Sequence, residues 1–379
     1  MKEEEGAMSE HRAIVRQPSI RISTDRLSAV HAQLKTSNSP LGVSIMEIGR
    51  SANRVGEVVD GIRGTGDQPR HIRDGQQYVG AISTDHWQTA TRDAKYRTLS
   101  FGIKTFPARW AQLKTTLGRP LNYISIGPGT GEKDKLILEH LQPLLAAGQT
   151  IMYVPIEISS ELLDVALELI LPAIDRSRIE VIPIRMDVTD EESLQRLKDV
   201  LPTLTAGSSS LFSVLGNTLA NFADDDEMLV KLASIMAPRD KLLLELATVT
   251  EASSQTARQA AMEYEGSDTF HRFAMGTLQD YTNCSFANGS VVCHGDVVRD
   301  AVQVVTSFTP TTAMKIEFRT GGGFDLGAGE AIELYRSRKY TVNAQRSLLA
   351  GYHECDRAES PYSGRSAFGV ATLLLDTPE

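Results

Sequence analysis

Glycines at alternate positions, Gly127, Gly129 and Gly131, follow the run Leu121-Asn122-Tyr123-Ile124-Ser125-Ile126 and precede Glu132-Lys133. Glycine in such a turn supplies backbone angles that a Cβ forbids, and it lets a ligand approach the main chain. Apolar positions at Leu136, Ile137, Leu138, Leu141, Leu144 and Leu145 then predict a helix. The unit reads as strand, glycine turn, helix, the opening of a nucleotide-type α/β domain. A dinucleotide fingerprint wants its last glycine where Glu132 stands, and a phosphate-cradling P-loop is broken by Glu132-Lys133-Asp134. A glycine turn with a carboxylate at the helix start suits a ligand without a pyrophosphate. S-adenosylmethionine (SAM), with its adenosine, sulfonium cation and amino-acid tail, is such a ligand. Gly127, Gly129, Thr130 and Gly131 are the first cofactor-binding candidates.

Polar residues at the ends of later apolar runs extend the pattern. Glu157 closes Ile151-Met152-Tyr153-Val154-Pro155-Ile156, where a carboxylate can accept from two ribose hydroxyls; alternatively it opens the next helix beside the cap Ser159. Asp187 ends Ile182-Pro183-Ile184-Arg185-Met186 and is placed to accept from an adenine amine, with Met186 or Val188 over the ring. The competing role for Asp187 is a helix cap near Thr189. Leu211-Phe212-Ser213-Val214-Leu215 runs into Gly216, Asn217 and, four positions on, Asn221. Gly216 and Asn217 are assigned to the cofactor wall. The asparagines fall where a transferred methyl would lie, and the Asn221 carboxamide can hold an acceptor amine without charge. Both also suit a turn.

The elements that must position these residues are strands at about 121–126, 151–156, 179–184, 210–216 and 240–247. Helical patterns at 131–146, 159–171, 190–200 and 225–236 separate them. Such alternation predicts a mainly parallel, Rossmann-like sheet with right-handed crossovers and ligands at the strand carboxyl ends. Leu41–Arg63 shows helix-like spacing, and 61–75 reads as a loop. The segment Tyr78–Trp110 carries both tryptophans, suiting a core or a substrate-pocket wall. Beyond about Thr250 come two helices, strand-like pieces, a Gly321-Gly322-Gly323 hairpin and a buried strand near Ala367–Leu375. The expected division is an N-terminal helical and aromatic segment (1–110), a SAM-binding domain (111–250) and a β-rich substrate-binding subdomain (251–379).

Composition bounds the class. The 379 residues are 41% hydrophobic with a net charge of −9, a balance that argues against a nucleic-acid partner. Cys284, Cys293 and Cys355 form no C-x-x-C pair, which fits free thiols in a reducing compartment. No apolar run approaches the roughly 18 residues of a membrane span. The charged start carries no signal-peptide pattern, so a cytoplasmic location with no membrane partner is expected. The eight histidines form no metal-binding spacing, so no metal is expected. His353-Glu354-Cys355-Asp356 reads as a polar strand end.

Several stretches resemble the histidine-specific, ergothioneine-pathway type of SAM-dependent N-methyltransferase. Gly127-Pro128-Gly129-Thr130-Gly131-Glu132-Lys133 is similar to its cofactor loop. Glu157-Ile158-Ser159 resembles its Asp-Val-Ser, and Leu215–Phe222 its Leu-Gly-x-Thr-Ile-Gly-Asn-Leu. Gly329-Glu330-Ala331-Ile332 and Ser337-Arg338-Lys339-Tyr340-Thr341 resemble its C-terminal motifs, so the likeness covers about 120–375. The resemblance implies a class I methyltransferase fold and cofactor contacts at Gly127, Lys133, Glu157 and Asp187. It further implies an acceptor amine held by Asn221, with Tyr264 as a substrate-binding tyrosine. One departure bears on the acceptor. The family's Glu-x-Ser pair, which binds imidazole, is matched here by Tyr335 and Ser337. A phenol carries no carboxylate charge and adds apolar area. The expected reaction is therefore N-methylation of a small-molecule amine larger or more apolar than histidine: tryptophan, another aromatic amino acid, or an indole-bearing, amino-acid-derived metabolite. L-histidine is the alternative acceptor; an oxidoreductase using nicotinamide, or a non-catalytic SAM-binding protein, is the alternative class.

Overall fold

The computed structural model describes residues 35–49, 55–64, 69–119, 121–362 and 366–378. Its strands are β1 (Lys35–Asn38), β2 (Ser44–Glu47), β3 (Asn122–Ile126), β4 (Ile151–Glu157), β5 (Ile179–Val181), β6 (Ile184–Arg185), β7 (Ser210–Val214) and β8 (Lys241–Val249). The C-terminal part adds β9 (Gly289–Val298), β10 (Ala301–Pro310), β11 (Met314–Glu317), β12 (Gly323–Leu326), β13 (Ile332–Tyr340), β14 (His353–Pro361) and β15 (Phe368–Asp376). The sheet runs β1-β2-β6-β4-β3-β7-β8-β13-β10-β9. From β2 to β8 every neighbouring pair is parallel. β3, β4 and β7 are buried along their whole length, as strands with helices on both faces must be. This accounts for their near-continuous apolar sequences.

Three details depart from expectation. The apolar spacing of Leu41–Arg63 splits into the strand β2 and a helix only over Val55–Arg63. Ile45 and Ile48 fit a helical stripe, yet β2 pairs with β6 through Met46 and Glu47, so the sheet captures them. The expected strand at 179–184 is broken: Pro183 has no N–H to continue a ladder. Its carbonyl instead accepts from Met46 at 2.9 Å. Finally, the β-rich C-terminal part continues the core sheet. β15 pairs antiparallel with β8 from Lys241 to Val249. On the other edge of β8, β7 pairs up to Leu244 and β13 takes over at Thr248.

Candidate functional site

The carboxyl ends of β3, β4, β6 and β7 frame a cavity of about 90 Å³. It is the end of a parallel sheet at which ligands bind. Gly127, Gly129, Glu157, Asp187, Val188, Gly216 and Asn221 all line it. The glycine turn explains the first two. Gly127, Gly129 and Gly131 adopt φ of 67°, 58° and 83°, the left-handed region closed to most side chains. A Cβ on Gly131 would also stand 3.0 Å from the Ala166 Cα, so this glycine lets two helices pack.

Glu157 turns one oxygen onto the chain that follows, accepting from the Ile158 amide at 2.8 Å and the Ser159 amide at 3.3 Å. Burial pushes its carboxyl up to about 7, while the Ser159, Ile158 and Gly129 amides draw it partly back. Ser159 is itself the cap of helix Ser160–Ile170. Asp187 is 3% exposed. Its Oδ1 accepts from the Thr189 amide at 2.8 Å and the Thr189 hydroxyl at 2.6 Å. Its Oδ2 is buried with no hydrogen-bond partner. The cap of the following helix is Asp190, so capping does not account for Asp187. A buried, orphaned carboxylate oxygen in a cavity wall calls for a donor from a ligand. An adenosine amine satisfies that requirement, and the bare glycine turn leaves backbone exposed to it, so these residues fit SAM.

Asn221 is clamped between two phenols. Its Nδ2 donates to Tyr78 Oη at 3.1 Å, and its Oδ1 accepts from Tyr335 Oη at 2.9 Å. Tyr335 in turn meets the Tyr96 hydroxyl at 3.2 Å. Burial pushes the Tyr78 and Tyr335 phenols up, so they serve as neutral partners. Tyr264 stacks into the same aromatic group, 5.3 Å from Tyr96 and 6.5 Å from Tyr335 between ring centres. Its hydroxyl is buried without a hydrogen-bond partner.

Other candidates stand behind the wall. Thr130 donates to Glu132. Lys133 pairs with Glu245. Asn217, at φ 63°, does not reach the cavity. Its amide donates to Ser337 Oγ at 3.1 Å and Arg338 O at 3.2 Å, while its oxygen accepts from Ala247 N at 2.8 Å. Asn217 thus fills the gap on the edge of β8 between the end of β7 and Tyr340, the last residue of β13. Ser337 is occupied by that contact.

The residues just before the aromatic segment, within and beyond the stretch 61–75 read as a loop, also reach the cavity. Residues 70–72 join β13, with Ile72 N donating to Glu333 O at 2.7 Å and Glu333 N to Arg70 O at 2.9 Å. Asp74 then accepts from Ala223 N at 2.6 Å. Gly75, Gln77, Tyr78 and Trp87 complete that wall, with Tyr78 and Trp87 meeting edge to face at 4.9 Å. The aromatic density after Tyr78 was the available signal. An open depression of about 1130 Å³ lies at the opposite, amino ends of β3, β4 and β7, where parallel sheets do not gather ligands.

The model of the histidine-specific, SAM-dependent methyltransferase family matches residues 80–360. The chain belongs to this family. The histidine-specific methyltransferase assignment makes it an enzyme that uses SAM, and it sets aside the nicotinamide reading of the glycine turn. No curated protein matches the chain in sequence. Among solved structures it is similar to magnesium protoporphyrin IX methyltransferase from Synechocystis: 12% identity, 79% of this chain, 97% of that one, TM-score 0.40. It is also similar to 1,6-didemethyltoxoflavin-N1-methyltransferase from Burkholderia thailandensis: 10% identity, 79% and 92% coverage, TM-score 0.38. A SAM-dependent methyltransferase from Clostridium acetobutylicum gives 13% identity, 70% and 89% coverage and TM-score 0.35. No described helix is long and apolar enough to cross a membrane.

Proposed function

We propose that this family member N-methylates the amine of an aromatic amino acid or of an amino-acid-derived, indole-bearing secondary metabolite. The observation that carries the acceptor reading is Tyr335. It stands where the family's imidazole-binding glutamate belongs, and its hydroxyl is committed to Asn221 at 2.9 Å. Ser337, the other half of that pair, is committed to Asn217 at 3.1 Å. No carboxylate is left at these two positions for a ring N–H, and the surrounding rings favour an aromatic or apolar acceptor.

Bound SAM supplies an electrophilic methyl group. On this reading Glu157 holds the ribose hydroxyls, Asp187 Oδ2 takes the adenine amine, and the Gly127–Gly131 turn lies along the cofactor. Gly216 completes the wall and Lys133 serves the cofactor from behind it. Asn221 keeps a second carbonyl lone pair beyond the bond from Tyr335, and that pair accepts from the acceptor amine. Its clamp between two phenols fixes the carboxamide before the acceptor arrives. The amine binds neutral, so catalysis rests on proximity and alignment rather than on a strong base. Residues 251–379 would carry acceptor-binding groups, including Tyr264 and Tyr335, with 1–110 supplying Tyr78 and Trp87.

The test is mass spectrometry of methyl transfer from SAM to histidine, tryptophan, tyrosine and indole-bearing amines. Methylation of an indole amine supports the proposal. Methylation of histidine alone, the reading favoured by the family's own description, shows that Tyr335 is tolerated and overturns the acceptor assignment. Asn221→Ala is expected to lower kcat about a hundredfold with S-adenosylhomocysteine affinity nearly unchanged; equal loss of both removes Asn221 from the acceptor site.

A further inference from the structure

A charged group that the chemistry above leaves unused lies behind Gly216. Glu245 on β8 is 1% exposed. Its Oε2 accepts from Arg109 Nη2 at 2.9 Å. Its Oε1 accepts from Lys133 Nζ and, at 3.2 Å, from the Gly216 amide. One carboxylate therefore ties together β8, the helix Arg97–Leu117, the first turn after the glycine loop and the cavity wall. Arg109 is held by four hydrogen bonds, donating also to Thr372 Oγ1 at 2.8 Å, Gly102 O at 3.0 Å and Thr105. Lys133 is held by fewer. Among the described residues its hydrogen-bond partner is Glu245, with the Phe106 ring 5.6 Å away. An ammonium has further N–H groups to give.

Arg109 and Lys133 thus share one buried carboxylate, and Lys133 keeps donors to give. The cavity is adjacent: a Cβ on Gly216 would stand 4.0 Å from Lys133 Nζ. Glu132 and Asp134, on the same helix as Lys133, are already committed, to Thr130 and to the Tyr123 and Tyr153 hydroxyls.

We propose that Glu245, anchored by Arg109, is a positioning residue that holds the Lys133 ammonium and the Gly216 amide together, so that these donors meet the carboxylate of an aminoacyl group in the cavity. This rests on reading the cavity as the cofactor site. The family resemblance nominates Lys133; what is new is the pair of residues that orients it and keeps it charged. Burial lowers the Lys133 pKa and Arg109 lowers it further, while Glu245 and, more weakly, Glu132 draw it up. Without Glu245, burial and Arg109 are opposed by Glu132, the weakest of these influences.

The experiment is calorimetric binding of S-adenosylhomocysteine and of 5′-methylthioadenosine, which keeps the adenosine and the sulfur but lacks the aminoacyl group. The native protein is expected to prefer S-adenosylhomocysteine by at least about tenfold. Glu245→Gln is expected to lose most of that preference at pH 8 and to regain part of it at pH 6, as Lys133 takes a proton. Its affinity for 5′-methylthioadenosine is expected to stay unchanged. Lys133→Met is expected to lose the preference at both pH values. Binding of S-adenosylhomocysteine by Glu245→Gln as tight as native, or tighter, overturns the proposal, because removing a negative charge without repositioning would strengthen anion binding. Equal loss for both ligands also overturns it. If Glu245→Gln does not fold, Glu245→Asp keeps the charge on a shorter arm: loss of the preference supports positioning and full retention overturns it. Failure of the native protein to bind 5′-methylthioadenosine removes the cofactor reading itself.

Discussion

Glu157 works against the fold that holds it. Burial raises its carboxyl from 4.5 to about 7, so the folded chain binds the proton more tightly than the unfolded chain. Stability therefore falls as pH rises from the unfolded value through the folded one, by roughly 3 kcal/mol in all. Glu157→Gln is expected to raise Tm of the ligand-free protein at pH 8 and to change it little at pH 5, measured by scanning calorimetry. The same substitution is expected to weaken S-adenosylhomocysteine about tenfold at pH 8 and to flatten the affinity profile between pH 6 and 8. Unchanged affinity removes the ribose role. Asp187 offers a sharper test because one oxygen is idle. Asp187→Asn can retain the Thr189 contacts while presenting an amide donor to the cavity. Affinity for adenosine ligands is expected to fall about tenfold to a hundredfold, whereas S-inosylhomocysteine, with a carbonyl in place of the amine, is expected to gain; titration of both decides. That Glu157 and Asp187 line the cavity was legible because each carboxylate ends an apolar run at the carboxyl edge of the sheet. Asn217 was not. Its role depends on a gap between β7 and β13, which form part of the sheet from segments more than a hundred residues apart.

At the scale of elements, the three glycines of the turn are unequal. Gly127 needs its left-handed backbone, but a Cβ there would meet Thr218 Cγ2 at 3.5 Å, an ordinary contact. Gly131 needs both its backbone and its bareness, since helix Ser160–Ile170 approaches to 3.0 Å. Gly131→Ala is expected to cost about 2–4 kcal/mol, from left-handed strain and overpacking together, and Gly127→Ala about 1–2 kcal/mol. Chemical denaturation of both variants measures the difference; equal losses contradict the packing argument. The long core helices were readable from periodicity, and the core strands as short continuous apolar runs between turn residues. Ser44–Glu47 was not: four residues cannot separate those periods, and a partner almost 140 positions away made the choice.

At the scale of the molecule, β8 is the shared member of two strand systems. It pairs with β7 on the cofactor side and along its whole length with β15, the last strand of the chain. The parallel part of the sheet cannot complete its pairing until β15 has been made. Thermal unfolding is expected to be a single transition by both near-UV and far-UV circular dichroism; two separated steps contradict the continuous sheet. The sequence-based boundary near residue 250 followed a real change in composition, but hydrogen bonding ignores it. A last consequence belongs to time rather than to shape. The segment that lines the cavity from residues 74 to 78 is fastened by Asp74 to Ala223 and by Tyr78 to Asn221. On the cofactor reading of this cavity, the Tyr78–Asn221 contact ties the timing of ligand exchange to the residue that would hold the acceptor amine.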